Sequence, residues 1–264
     1  MLHQAKTLKG YQLQSLDGKI GTVQEFYFDD HHWTIRYLVV EMDGKAGNQS
    51  VLISPYALKA VSEDEKTITV DLTKKQIEES PSWDKDKPVS RQFEDKYYAY
   101  YGWPVYWGGP FMWGSQPFMV LNGPRSMETA PSEKKGDLHL RSTDKVTGYF
   151  IQASDGDIGH IDDFMIDDET WAIRYLIVDT RNWWPGKKVL ISPRWIEDVS
   201  WDHSKVLVHL SRETIQRSPE FREGLLVTRE YETELHGHYN HRGYWVEESH
   251  ASFKDPASLF SEKK

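Results

Sequence analysis

The feature that most limits what this chain can fold into is that it is written twice. WTIRYLVV at 33–40 returns as WAIRYLIV at 171–178, 138 positions further on. The same offset aligns residues 7–107 with 145–245 without a gap. Gly10–Tyr11 falls on Gly148–Tyr149, Asp17–Gly18 on Asp155–Gly156, and Ile20–Gly21 on Ile158–Gly159. VLISP at 51–55 recurs at 189–193, Ser80–Pro81 at 218–219, Arg91 at Arg229, and Tyr106–Trp107 at Tyr244–Trp245. About a third of the aligned pairs are identical, a register that chance does not hold over such a length. A tandem duplication predicts one domain folded twice, each copy burying its own apolar face. The expected boundaries are a first copy over 1–107, a linker rich in Gly, Pro and aromatic residues over 108–139, a second copy over 140–246 and a polar tail over 247–264.

Within a copy the local signals are those of short strands. GYQLQS ends at the turn Asp17–Gly18. IGTVQEFYF carries apolar residues whose spacing breaks the period of two, which predicts a bulge near Gln24–Glu25. The acidic turn DDHH, or DDET in the second copy, leads into the Trp-Xaa-Ile-Arg-Tyr strand. That strand is apolar on both faces apart from Arg36, the pattern of a central, buried strand. VLI at 51–53, a strand near Ala60–Ser62 and TITVDL complete the set, and LTKKQIEESP has helical spacing. So few strands joined by tight turns predict a small closed or nearly closed barrel, since an open sheet of this size leaves exposed edges.

These residues carry a family likeness. D-G-x-I-G, the paired-Asp turn, W-x-I-R-Y-L-V-V, V-L-I-S-P and the R-x-[FY]-E segment at 91–94 and 229–232 resemble the PRC-barrel domain, in both copies. That domain forms the cytoplasmic part of the photosynthetic reaction-centre H subunit and is similar to the C-terminal domain of a ribosome-maturation factor. The H subunit's membrane helix and the maturation factor's separate N-terminal domain have no counterpart legible here. The chain looks like the stand-alone tandem PRC-barrel proteins of bacteria. The resemblance implies a mainly β fold of two small PRC-type barrels in tandem, each with a short helix and an aromatic C-terminal arm. It also implies a module of assembly and interaction rather than a catalytic residue set.

Composition narrows the function classes. A net charge of −9 opposes phosphate-backbone binding, so no nucleic-acid partner is expected. The absence of cysteine excludes disulfides, thiolate catalysis and Cys-based zinc sites. No stretch approaches the roughly 20 apolar residues that span a bilayer, and the first residues lack a signal-peptide core. A cytoplasmic, soluble protein is the expectation.

Four sets of residues invite a chemical reading. Glu25 and Arg36, repeated as Asp163 and Arg174, are expected to form a cross-strand ion pair that fixes register, with a charged ligand site as the competing reading. His236, His238 and His241 in HGHYNH could surround a metal ion. Their partners in the first copy are Tyr98, Tyr100 and Trp103, which points instead to a packing strip. The acidic run DGDIGHIDDFMIDDE lacks the ligand spacing of a calcium loop and reads as hairpin turns. In YYAYYGWPVYWGGPFMWG (97–114), Gly and Pro rule out one regular element along its length. Tyr98, Tyr101, Trp103, Tyr106, Trp107 and Trp113, with Tyr244 and Trp245 of the second copy, would either pack on a barrel, contact another protein or second subunit, or stack on a small ligand.

No G-x-S-x-G elbow, phosphate-binding Gly loop or HExxH is present. The expected function is a non-catalytic scaffold that binds a protein partner or itself, as in a homodimer, with no cofactor. The alternatives are a small-molecule or metal sensor and a ribosome-associated assembly factor.

Overall fold

Every strand expected in a copy is present, but the two sheets are completed across the repeat. The fold is taken from a computed structural model, which describes residues 1–44, 49–84, 87–107, 139–180, 186–224 and 226–246. The expected linker and tail, and Trp113 with them, lie outside the described residues apart from His139.

The first copy runs β1 (Leu2–Gln4), α1 (Ala5–Leu8), β2 (Gln12–Ser15), β3 (Gly18–Asp29), β4 (Thr34–Met42), β5 (Ser50–Ile53), a 3-10 turn (Pro55–Ala57), β6 (Leu58–Ser62), β7 (Thr67–Val70), α2 (Lys74–Glu78) and α3 (Arg91–Tyr101). The second repeats the order as β8 (Leu140–Ser142), α4 (Thr143–Val146), β9 (Phe150–Ala153), β10 (Gly156–Asp167), β11 (Ile173–Asp179), β12 (Lys188–Ile191), a 3-10 turn (Pro193–Trp195), β13 (Ile196–Ser200), β14 (Lys205–Val208), α5 (Arg212–Arg217) and α6 (Arg229–His238). The ladders run β5-β4-β3-β2-β7-β6 and β12-β11-β10-β9-β14-β13. Among the described residues only β2–β7 and β9–β14 are parallel. The end strands of each ladder are joined through the 3-10 turn rather than by a hydrogen-bonded pair, so each barrel is nearly closed.

β3 is twelve residues long and must serve two neighbourhoods. Its register against β4 shifts between Val23 and Glu25, where the sequence predicts a bulge, and again between Tyr27 and Phe28. Gly21 sits where β3 crosses close to β4: an added Cβ would lie 1.9 Å from the Glu41 carbonyl oxygen, so only glycine fits. β4 is buried on both faces, as its unbroken apolar run predicts. Ile35, Leu38 and Val40 face the barrel core, while Tyr37 and Val39 join a second cluster with Tyr97, Tyr98 and Tyr106.

That second cluster exists because α3 lies over the outer face of β4. Ser90 caps the helix, its Oγ accepting from Phe93 N at 3.2 Å. Gly102, at φ 70°, ends it. Glu94, Tyr97, Tyr98 and Tyr101 recur at the helical spacing and point inward. The stretch from 97 is therefore not an irregular arm throughout: its first five residues are the last of a helix.

The expectation that each copy buries its own core is corrected at the seam. β1 of the first copy pairs with β10 of the second, Leu2 opposite Asp167 and Gln4 opposite Met165. Reciprocally, β8 pairs with β3, Leu140 opposite Asp29 and Ser142 opposite Tyr27. Each sheet thus takes its seventh strand from the other copy. Without that strand the second half of β3 would be an open edge. The turns before β4 and β11 also meet: Ile35 N donates to the Trp171 carbonyl (2.8 Å) and Ile173 N to the Trp33 carbonyl (2.7 Å). Both tryptophans hold left-handed backbone, φ 52° and 57°, a strained conformation for a bulky residue that aims each carbonyl across the seam. Phe28 packs on Phe164 with ring centroids 5.9 Å apart, and one apolar core runs through both copies. The relation is isologous, the same contact made twice in opposite directions.

Candidate functional site

The polar residues that both copies share are gathered into two matching clusters on the outer face of each barrel. In the first, Glu94 on α3 is fully buried. Its Oε1 accepts from the hydroxyls of Tyr37 (3.1 Å) and Tyr106 (2.7 Å), and its Oε2 from Arg91 (3.1 Å) and His139 (2.8 Å). Arg36 lies over the Tyr106 ring at 4.1 Å and donates to Asp29 at 2.7 Å, while Arg91 covers Trp107 at 4.1 Å. In the second, Glu232 accepts from Tyr175 (2.8 Å), Tyr244 (2.9 Å) and Arg229 (2.8 Å). Arg174 lies over Tyr244 at 4.0 Å and binds Asp167 at 2.7 Å, and Arg229 covers Trp245 at 4.2 Å.

Burial is tolerated because every charge is paired and every carboxylate oxygen is used. Burial and the nearby carboxylate hold the Tyr106 and Tyr244 hydroxyls well above the usual tyrosine range, so both remain donors. Such an arrangement clasps α3 or α6 and the following aromatic residues onto the sheet. With its carboxylate saturated and out of solvent, it offers no position for a reacting group. Residue-level reading finds Arg36, Arg174 and the R-x-[FY]-E repeat, but not that Tyr37, Glu94 and Tyr106 meet, because they come from three separate elements.

The expected Glu25–Arg36 and Asp163–Arg174 ion pairs do not form. Glu25 stands opposite Val39, and Arg36 lies three residues along the strand, at the register shift between the Tyr27–Tyr37 and Phe28–Ile35 pairs. Arg36 therefore binds Asp29, and Arg174 binds Asp167. Glu25 and Asp163 are instead spent on the exchanged segments. Ser142 Oγ donates to Glu25, and Lys6 N donates to both oxygens of Asp163 at 3.2 Å. Asp163 is almost completely buried, and burial pushes its carboxyl up to about 6 against the pull of the Phe164 and Lys6 amides.

The aromatic residues divide. Tyr98, Tyr106 and Tyr244 are buried and belong to the interior rather than to a free surface; Tyr101, Trp103, Trp107 and Trp245 are half-buried. Tyr98 lies on the inward face of α3, and the buried Glu94 and Glu232 carboxylates draw in the Tyr106 and Tyr244 hydroxyls. The three histidines do not converge. His236 Nδ1 donates to the Arg242 carbonyl (3.0 Å) with Nε2 at the Tyr175 hydroxyl (3.0 Å). His238 donates to the Thr214 carbonyl (2.8 Å), and His241 stacks on Trp195 at 5.2 Å. Residues two apart on a helix point to opposite sides, so His236 and His238 cannot share an ion. Among the described residues no group of three or more His, Asp or Glu is placed to hold a metal. Burial lowers His236 to about 4, which keeps it neutral.

Two accessible grooves lie at the seam. One groove of about 510 Å³ is bordered by Asp30, Trp33 and Arg141 on one side and by Glu197, Val199 and Trp201 on the other. Its counterpart, about 820 Å³, is bordered by Asp168 and Trp171 and by Tyr56, Lys59 and Val61. The repeat offset relates Asp30 to Asp168, Trp33 to Trp171, Glu197 to Lys59 and Val199 to Val61. Each is floored by an end strand of a ladder, β13 or β6, whose outer edge pairs with no other strand among the described residues. Seam hydrogen bonds also match: Arg141 donates to Asp30 at 2.9 Å and stacks on Trp201 at 4.0 Å, and His3 bridges Asp168 and Glu63, both at 2.8 Å.

No helix among the described residues is long and apolar enough to cross a membrane. Residues 2–77 and 151–215 match the model of the PRC-barrel domain. No curated protein matches the chain.

Proposed function

The chain belongs to the PRC-barrel domain family, whose domains are modules of protein interaction and assembly, and on that premise we propose that it is a non-catalytic scaffold presenting two equivalent partner-binding grooves. The observation that carries this reading is the reciprocal strand exchange. It fixes the two barrels as one two-fold body and, in doing so, creates the twin grooves with an unpaired sheet edge in each. Sheet edges pair readily with an extended segment of another chain, the partner's backbone supplying affinity and alternate side chains supplying choice. The buried polar clusters favour the same view, since what both copies retain most fully is architecture. A two-fold surface also suits self-association or a homodimeric partner.

Val61 and Val199 are half-buried equivalents, one in each groove. Affinity capture from the native cell with wild type and with Val61→Lys/Val199→Lys tests the reading. Partners held by wild type are expected to be lost from the variant while its circular dichroism spectrum stays that of the folded protein. Identical partner sets for both proteins, or a wild type that captures nothing and remains monomeric by light scattering, would contradict it.

A further inference from the structure

One corner of the seam carries a different charge in each copy. Beside the β13 groove, and sharing His31, Trp33 and Pro193 with it, a cavity of about 150 Å³ opens between the turn before β4 and the 3-10 turn Pro193–Trp195. The first turn supplies His31 and His32, their ring centroids 6.4 Å apart. The second supplies the buried Ser192 and the exposed Arg194, and Arg174 and the Tyr244 ring complete the lining. No acidic residue lines it among the described residues. Asp29 and Asp167 answer part of the charge from outside the lining, by bonds to His32 Nδ1 (3.0 Å) and to Arg174 (2.7 Å). The repeat offset puts Glu169, Thr170 and Tyr56 where His31, His32 and Arg194 stand, so the basic set belongs to one corner alone.

Ser192 is an independent sign of the same chemistry. In the first copy the Ser54 hydroxyl meets the Tyr98 hydroxyl at 3.5 Å. The second copy has His236 in place of Tyr98, and both its ring nitrogens are taken, by the Arg242 carbonyl and the Tyr175 hydroxyl. Ser192 Oγ accepts from Arg194 N at 3.4 Å, but its own hydrogen has no acceptor among the described residues. Only 2% of Ser192 is exposed, and a buried donor left unmatched costs free energy that a bound acceptor recovers.

We infer that this cavity binds a phosphate group, with Arg194 as its charged clamp, Ser192 as a buried donor and His31 and His32 beside them. A guanidinium offers several donors in a plane, which suits the oxygens of phosphate better than the two of a carboxylate. The cavity is smaller than the pockets that enclose whole ligands, so it takes one such group, either free inorganic phosphate or the head of a phosphomonoester. A single site of this kind is compatible with a chain of net charge −9, which opposes a phosphate polymer rather than one ion. The inference goes beyond the scaffold reading, and neither Val61 nor Val199 lines the cavity.

Phosphorus NMR of inorganic phosphate, titrated with the full-length protein at low ionic strength, tests it. Wild type is expected to show one saturable site, displaced by sulfate but not by acetate. Arg194→Gln is expected to weaken binding about tenfold or more, and Ser192→Ala several-fold. Lys59→Gln, which removes an exposed cation elsewhere on the seam, should leave it unchanged. O-phosphoserine as the titrant separates the two sources. Tighter binding than inorganic phosphate assigns the site to a phosphomonoester, and equal or weaker binding assigns it to the free ion. If Arg194→Gln loses the folded circular dichroism spectrum, His31→Gln at its exposed turn carries the test with the same expected direction. Absence of saturable binding, displacement by acetate as by sulfate, or equal weakening by Lys59→Gln and Arg194→Gln overturns the proposal. None of these results bears on the groove variants, so this site and the scaffold reading fail separately.

Discussion

At the scale of single residues, two buried groups titrate in opposite senses over the same pH range. Asp163 is held at about 6, above its unfolded value, so the folded protein keeps a proton that the unfolded chain releases. Its effect on stability is absent below about pH 4 and grows more unfavourable as pH rises to 6. His236 is held at about 4, below its unfolded value, so stability is present above about pH 6.5 and lost as pH falls towards 4. The two slopes oppose each other in wild type. Asp163→Asn is expected to stabilise by about 1–3 kcal/mol at pH 7 and to leave a rise of stability with pH between 4 and 6.5. His236→Gln should leave a fall over the same interval. Urea denaturation at stepped pH reads both slopes; parallel profiles for the two variants would refute the assignment. Neither shift was legible in the sequence. Which acid meets Arg36 was not legible either, since Glu25 and Asp29 lie on the same strand and only the two register shifts in β3 decide between them.

Among the elements, the long strands and α2 (Lys74–Glu78) read well and α3 poorly. The broken periodicity of IGTVQEFYF marks a bulge, and the unbroken run of WTIRYLVV marks a doubly covered strand. Both follow from side-chain alternation, a local property. α3 is less legible because its sequence is dense in tyrosine, and its inward face is stabilised by β4 and by Glu94 rather than by helix propensity. β1 and β8, three residues each, carry no local signal at all; their pairing comes wholly from the other copy. Glu94 ties an element to the fold, so its removal should act on α3 first. Glu94→Ala strands the Tyr37 and Tyr106 hydroxyls and the buried His139, and is expected to cost about 3–5 kcal/mol, against about 1 kcal/mol for Tyr37→Phe, which removes one of four donors. Hydrogen exchange should show the amides of α3 losing protection before those of β4. Uniform loss over both elements would mean that the clasp does not act locally.

For the whole molecule, the repeat predicted two barrels but not their joining. Self-similarity shows that a unit was copied; it does not show which strand of a copy lies in which sheet, because exchanged and unexchanged arrangements have the same local pattern. The exchange is what gives the molecule a shared core, matched seam contacts and twin grooves, and the scaffold reading depends on it. The chain has no cysteine, so a single engineered pair reports on the seam without competition. Gln4 and Met165 face each other across β1 and β10, and opposed residues of antiparallel strands lie at a separation of about 4.5–5.5 Å that a disulfide spans. Oxidation of Gln4→Cys/Met165→Cys at low concentration is expected to give one intramolecular crosslink in a monomer with raised stability. Free thiols after oxidation, or crosslinks formed only between chains, would show that the first strand does not complete the second copy's sheet.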